Sequence, residues 1–118
     1  MTKTYTHLSS TELVSEITTG IKNSITIVKQ LEEMAEQHQV VSEKEVVEQA
    51  GAAMMLILEM TLSKVNDLLG EVDNRQNSEM IIEALLAKLD EFMRVDGQYF
   101  VSALLLTGTI SLGELLSV

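Results

Sequence analysis

Residues 9–35, SSTELVSEITTGIKNSITIVKQLEEMA, decide the fold of this chain. Their apolar residues return at alternating steps of four and three positions, which is the period of one face of an α-helix. Ser9 with Glu12 forms the capping-box pattern of a helix start. Because the phase is kept across Gly20, the pattern predicts one helix over about 10–38. The predicted core face of this helix consists of Leu13, Ile17, Ile21, Ser24, Val28, Leu31 and Ala35.

A second segment opens with the same device. Ser42 followed by Glu45 again forms a capping box, and Gly70 is well placed as a C-terminal stop. The apolar period between them predicts a helix over about 43–69. Its predicted core face consists of Val47, Ala50, Met54, Leu58, Leu62, Val65 and Leu69.

The third segment follows a loop-like stretch at 70–78, and Asn77 or Ser78 is expected to cap it. Its apolar period predicts a helix over about 78–107, with a short apolar C-terminal segment after it. We therefore predict an all-α fold, an antiparallel bundle of three long helices, because the connections are short. A break at Gly97 would give four helices instead. The predicted face of the third helix contains Ile81, Leu85, Leu89, Phe92, Val95, Tyr99, Ala103 and Leu106.

The composition supports this fold and excludes several classes of function. Of 118 residues, 46% are hydrophobic and 3% aromatic, with no Pro, Cys or Trp. This indicates one domain over 1–118 with an aliphatic core, and we expect polar residues 1–8 to be disordered. The net charge of −10 argues against direct nucleic-acid binding. The N-terminus does not resemble a secretory signal, so we expect a cytoplasmic protein.

The sequence carries no signature of catalysis, of a cofactor or of a metal site. His7 and His38 are the two histidines, and neither has a metal-ligand partner at helical spacing. Residues 73–84 depart from the calcium-loop pattern at several ligand positions. The uncharged stretch 97–113 is short for a membrane span and lacks flanking basic residues, so no membrane span is expected. We therefore expect neither catalytic residues nor a cofactor.

The most informative feature is a surplus of apolar residues. Residues 50–58 are apolar around most of the helix, and Leu104 and Leu105 exceed what one buried stripe requires. Either a further helix covers this surface or it is an interface with another chain, most simply in a homodimer. The residues predicted to form the interface are Met54, Met55, Leu56, Leu58, Leu104, Leu105, Leu112 and Leu115.

Three functions are consistent with these features. The leading hypothesis is a non-enzymatic, acidic, helical protein-interaction module of the adaptor, chaperone or inhibitor type, acting as a homodimer. The first alternative is a small-molecule-binding protein with a pocket between helices, lined by Met54, Leu58, Phe92 and Tyr99. The second alternative is an acidic mimic of nucleic acid that blocks a basic protein surface. The last requires carboxylates arrayed along one face.

Overall fold

Over the residues that the structure describes, the chain folds into three long α-helices that pack into one bundle. The structure, a computed structural model, describes residues 5–38 and 44–107. In this part of the chain, α1 is Ser10–His38, α2 is Lys44–Asp73 and α3 is Ser78–Thr107. The predicted all-α, three-helix fold is therefore confirmed. The predicted C-terminal segment, from residue 108 onwards, lies outside the described residues.

Polar contacts between the helices show how they run. Asn77 Nδ2 donates to Ser10 Oγ at 3.1 Å where α3 and α1 begin. Lys29 Nζ lies 2.9 Å from Asp96 Oδ1 in the later halves of the same two helices, which are therefore parallel. Lys64 Nζ lies 3.1 Å from Glu16 Oε2, which joins the late part of α2 to the early part of α1 and makes them antiparallel. Helix α1 packs more extensively on both neighbours than they pack on each other. We call the end where α1 and α3 begin the lower end of the bundle, and the opposite end the upper end.

Helix α1 begins with the predicted capping box. The Ser9 backbone N–H donates to Glu12 Oε1 at 2.9 Å, and the Glu12 backbone N–H donates to Ser9 Oγ at 3.1 Å. These bonds satisfy two backbone donors that a helix start leaves free. The hydrogen bonds from Ser9, chiefly from its backbone, lower the pKa of the Glu12 carboxyl. The second predicted capping box begins at Ser42, outside the described residues.

The predicted core face of α1 is buried along most of its length. Leu31 marks the upper limit of this burial and is only partly covered. One polar side chain, Ser24, is fully buried on this face, and its hydroxyl donates to the carbonyl of Ile21 at 2.6 Å. The hydroxyl is therefore satisfied within its own helix and needs no partner from another element. The buried residues are Leu13, Val14, Ile17, Ile21, Ser24, Ile25 and Val28.

Helix α2 extends further than the sequence predicted. Gly70 was expected to stop the helix, but α2 continues to Asp73. The reason is Val72, which stands three residues after Leu69 on the same face and is 1% exposed. Burying a valine side chain gives about 1.5 kcal/mol or more, which exceeds the cost of about 1 kcal/mol for glycine inside a helix. The buried residues of α2 are Leu58, Leu62, Val65, Leu68, Leu69 and Val72.

Arg75, in the turn between α2 and α3, ties the N-terminal segment to the bundle. Its Nε donates to Glu71 Oε2 at 2.6 Å. Its Nη2 donates to the backbone carbonyls of Tyr5 at 3.2 Å and Leu8 at 2.8 Å. Both of these residues also pack against the core. Residues 5–8 are thus held in place, which differs from the disorder expected for 1–8; residues 1–4 are outside the described part.

Helix α3 runs without a break through Gly97, so the four-helix alternative is wrong over the described residues. A side-chain methyl at Gly97 would meet only Met93 Cε, at 3.9 Å, so neither space nor a turn requires glycine there. The predicted face is correct at its start but not at its end, because Val95 is 72% and Leu106 is 53% exposed. A seven-residue repeat drifts by about 20° per repeat around a straight helix, which carries Leu106 out of the core. The buried residues of α3 are Ile81, Leu85, Leu89, Phe100, Ala103 and Leu104.

Helices α1 and α2 come very close at Gly20. A Cβ atom built on Gly20 would overlap Val65 Cγ2, a side chain that is 1% exposed. Glycine therefore allows the backbone of α1 to approach the buried face of α2. This contact lies between the ion pair of Glu16 with Lys64 and the buried hydroxyl of Ser24, in the middle of the bundle.

Candidate interaction surface

The upper part of α2 is apolar, yet it contributes little to the core: of residues 48–57, Met55 packs against it and is only half-buried. Residues 50–58 consist entirely of Ala, Gly, Met, Leu and Ile. Over 48–57 no side chain is buried, and the first buried side chain after this stretch is Leu58, which is 0% exposed. Ala50 and Met54, which were predicted for the core face, are exposed and half-buried respectively. No fourth helix covers this segment within the described part of the chain.

Three residues of this stretch and one just after it form a continuous outward strip, which we call the α2 face. They are Ala53, Leu56, Ile57 and Met60. They follow the spacing i, i+3, i+4 and i+7, so they lie on one side of the helix. Leu56 is 58%, Ile57 53% and Met60 64% exposed. Their side of α2 is opposite the buried residues, because Leu56 and Met60 are each about 160° from Leu58 around the helix at 100° per residue. The α2 face therefore points away from the bundle.

A shallow groove of about 680 Å³ runs from Leu56 on the α2 face down to Asp67 and Tyr5. Leu56, Ile57 and Met60 provide its apolar lining, and Glu59 and Asp67 add carboxylates at its side and lower end. Lys64 also lines the groove, but its charge is paired with a carboxylate of α1. An apolar centre with a charged edge is the usual anatomy of a surface that binds an amphipathic helix.

A second exposed apolar surface, which we call the α3 patch, lies near the upper end of α3. It consists of Val101, Leu105 and Leu106, which are 52%, 63% and 53% exposed. Leu104, next to them in sequence, points the other way and is only 4% exposed, so it belongs to the core. Leu105 was among the residues predicted for an interface, whereas Val101 and Leu106 were not.

The residues predicted for an interface fall into different environments, and their role in binding stays a prediction. Met60 was not predicted for the interface, although it stands four residues after Leu56 and three after Ile57. It was overlooked because Glu59 ends the uninterrupted apolar run, while the helical spacing continues past it. The structure places Leu56 and Leu105 on the surface, Met54 and Met55 half-buried, and Leu58 and Leu104 in the core, and Leu112 and Leu115 lie outside the described residues.

The residues proposed for a small-molecule pocket do not share one environment. Leu58 is fully enclosed by the core, whereas Tyr99 lies beside an open depression of about 340 Å³. Lys29 Nζ sits 5.1 Å from the centre of the Tyr99 ring and 2.9 Å from Asp96 Oδ1. The hydrogen bond to Asp96 raises the pKa of Lys29, and the charge of Asp96 adds to this. A lysine therefore occupies the ring face that a ligand would use.

A small cleft between the lower parts of α1 and α3 is the other notable cavity. It has a volume of about 270 Å³, with buried Val14 and Ile81 among its lining residues and Lys88 at its edge. Met80, which is 69% exposed, forms part of one side. Pockets that bind drug-sized ligands have volumes of about 300–1,000 Å³ and enclose most of the ligand. This cleft is smaller and open, so it gives weaker support for a ligand site than the α2 face gives for a docked helix.

Neither a metal centre nor relatives point to a function. Over residues 5–38 and 44–107, no group of three or more His, Asp or Glu side chains could hold a metal ion. None of the helices described there is long and apolar enough to cross a membrane. No protein family, no curated protein and no solved structure matches this chain.

Proposed function

We propose that this chain is a non-enzymatic protein-interaction module that forms a homodimer through the α2 face and offers its acidic exterior to a second protein. The observation that carries the proposal is the apolar upper part of α2, where no residue over 48–57 is buried. Monomeric proteins rarely leave contiguous apolar surfaces uncovered unless those surfaces bind something. A cytoplasmic location is part of the same proposal.

The apolar surface available sets the strength we expect for the dimer. Leu56, Ile57 and Met60 are each a little more than half exposed. Covering the exposed part of each gives about 1 kcal/mol, and therefore about 6 kcal/mol for two copies. Association costs at least about 4 kcal/mol of translational and rotational freedom. These two terms leave about 2 kcal/mol, whereas a dissociation constant of about 1 μM requires about 8 kcal/mol. Contacts of the flanking residues must therefore supply about 6 kcal/mol, and we expect a dissociation constant that is micromolar at the tightest.

The acidic exterior supports the second half of the proposal. The net charge is −10, and the carboxylates are spread along all three helices rather than gathered in one segment. Such a surface favours encounter with a basic partner and disfavours acidic ones. The same charge opposes self-association, so the homodimer should strengthen when salt screens the repulsion between the two copies.

The experiment is sedimentation velocity on the whole chain between about 1 and 500 μM, a range that brackets a micromolar constant. Met60→Glu puts a charge into the α2 face and is expected to weaken the dimer at least tenfold. Met80→Glu is the matched control, because Met80 is 69% exposed against 64% for Met60 but lies on α3, away from the α2 face. It should leave the dimer unchanged. A native chain that stays monomeric over the whole range would contradict the proposed homodimer.

A further inference from the structure

We infer that the second copy lies antiparallel on the α2 face, with the two-fold axis passing beside Leu56 and Ile57. This inference rests on the proposed homodimer and specifies its geometry. Closed dimers with two-fold symmetry use the same surface on both copies, so the surface must be complementary to itself. Two properties of α2, the size of its exposed side chains and the position of its charges, decide between an antiparallel and a parallel pair.

The α2 face changes in size along the helix. Ala53, at its upper end, has a single methyl group, whereas Met60, at its lower end, has a long side chain that is 64% exposed. In an antiparallel pair Met60 lies over the partner's Ala53, and large meets small at both ends. In a parallel pair Met60 would meet its own copy, which crowds one end and leaves a gap at the other. Close packing of an interface favours the first arrangement.

The charges at the lower end of α2 count against a parallel pair. Asp67 is exposed and stands seven residues after Met60, on the same line of the helix. A parallel pair would place it against the partner's Asp67, and opposed like charges at an interface are costly. The same pair would bring Glu59 towards the partner's Lys64, but an exposed ion pair contributes little, and Lys64 already binds Glu16. In the antiparallel pair the two Asp67 side chains are about 30 Å apart along the helix axis.

Disulfide trapping tests this geometry directly, because the native chain has no cysteine. The variants are Leu56→Cys beside the axis, Met60→Cys and Ala53→Cys at the ends of the face, and Met80→Cys as an exposed control off the face. Each is oxidised at a concentration where sedimentation shows the dimer, and products are separated without reductant. A disulfide needs Cα atoms within about 7 Å, whereas the two copies of residue 60 in an antiparallel pair are about 10 Å apart along the axis.

We expect Leu56→Cys to form covalent dimers well above the Met80→Cys control, and Met60→Cys alone to stay at the control level. A mixture of Met60→Cys with a differently tagged Ala53→Cys should form the mixed dimer. Efficient self-linking of Met60→Cys would overturn the antiparallel geometry while leaving the homodimer intact. If sedimentation shows a dimer but no variant on the α2 face forms more covalent dimer than the Met80→Cys control, the antiparallel geometry is also overturned, because the contact would then lie elsewhere. A monomer by sedimentation would instead remove the proposed homodimer itself.

Discussion

Gly20→Ala is expected to destabilise the bundle, although alanine is the better helix former. The new methyl group would overlap Val65 Cγ2. Val65 is 1% exposed and belongs to the core cluster, so moving its side chain disturbs other core contacts. A valine inside a helix has one strongly preferred χ1 rotamer, so its methyl groups cannot turn away cheaply. The two helix backbones would have to separate instead, which loosens the contacts on both sides of Gly20.

Two opposing terms set the size of the effect. Replacing glycine by alanine inside a helix gains about 1 kcal/mol. Forcing an extra methyl group into a packed core costs about 1–3 kcal/mol. We expect the overlap to dominate, with a net loss of about 1 kcal/mol at Gly20. For a domain of this size such a loss lowers the melting temperature by about 3–5 °C.

The assay is urea unfolding followed by circular dichroism at one fixed protein concentration, since dimerisation would otherwise shift the midpoint. Gly97→Ala is the matched control. It makes the same change inside a helix, but the new methyl group meets only Met93 Cε, at 3.9 Å. We expect Gly97→Ala to gain up to about 1 kcal/mol. If Gly20→Ala stabilises the chain as much as Gly97→Ala does, the close approach of α1 and α2 is not real.

A double-mutant cycle tests the same contact from the other side. Val65→Ala removes two buried methyl groups and should cost about 2 kcal/mol when residue 20 is glycine. When residue 20 is alanine, the same substitution also removes the overlap, so its cost should fall by at least about 1 kcal/mol. Additive free energies of unfolding would show that the two positions do not touch, and would refute the reasoning.

The remaining predictions concern the lower end of the bundle. Ser9→Ala should cost about 1 kcal/mol of stability, and NMR titration should show the pKa of Glu12 returning towards its ordinary value of 4.5. Because folding lowers the pKa of Glu12, its carboxylate stabilises the native fold above pH 4.5, and this contribution disappears as the pH falls through the folded pKa. If the stability of the native chain and of the Ser9→Ala variant depended on acid pH in the same way, this prediction would be contradicted. Arg75→Lys should speed hydrogen exchange at residues 5–8, because lysine cannot reproduce the forked contacts of the guanidinium. Arg94→Lys, at an exposed pair, is its control and should leave that exchange unchanged, and equal effects of the two substitutions would count against the tether.

The fold was predictable because its signals are local. The capping box at Ser9 and the apolar period of α1 involve residues within one or two helical turns of each other. The bounds predicted for α1 and α3 match Ser10–His38 and Ser78–Thr107 for this reason. The exposure of Leu56 could also be predicted by counting positions around the helix, because Leu56 lies on the side of α2 opposite the predicted core face.

The rest depended on contacts between segments far apart in sequence. Gly70 looks like a stop until the burial of Val72 is known, and this burial depends on the other two helices. Arg75 bonds carbonyl oxygens 67 and 70 residues away, which no local pattern reveals. Leu104 looked like surplus because the predicted face followed the seven-residue repeat, whereas the buried side of α3 moves around the helix to Phe100 and Leu104.

The central position of α1 has a consequence for how the chain is made. Helix α1 packs more extensively on its two neighbours than they pack on each other, and it leaves the ribosome before either of them. Its second neighbour is complete only at Thr107, 69 residues after His38 (107 − 38). At a synthesis rate of about 5–20 residues per second, the apolar stripe of α1 stays partly exposed for roughly 3–14 s until α3 is complete. The nascent chain therefore spends seconds with an exposed aliphatic helix, a period in which general chaperones can engage it.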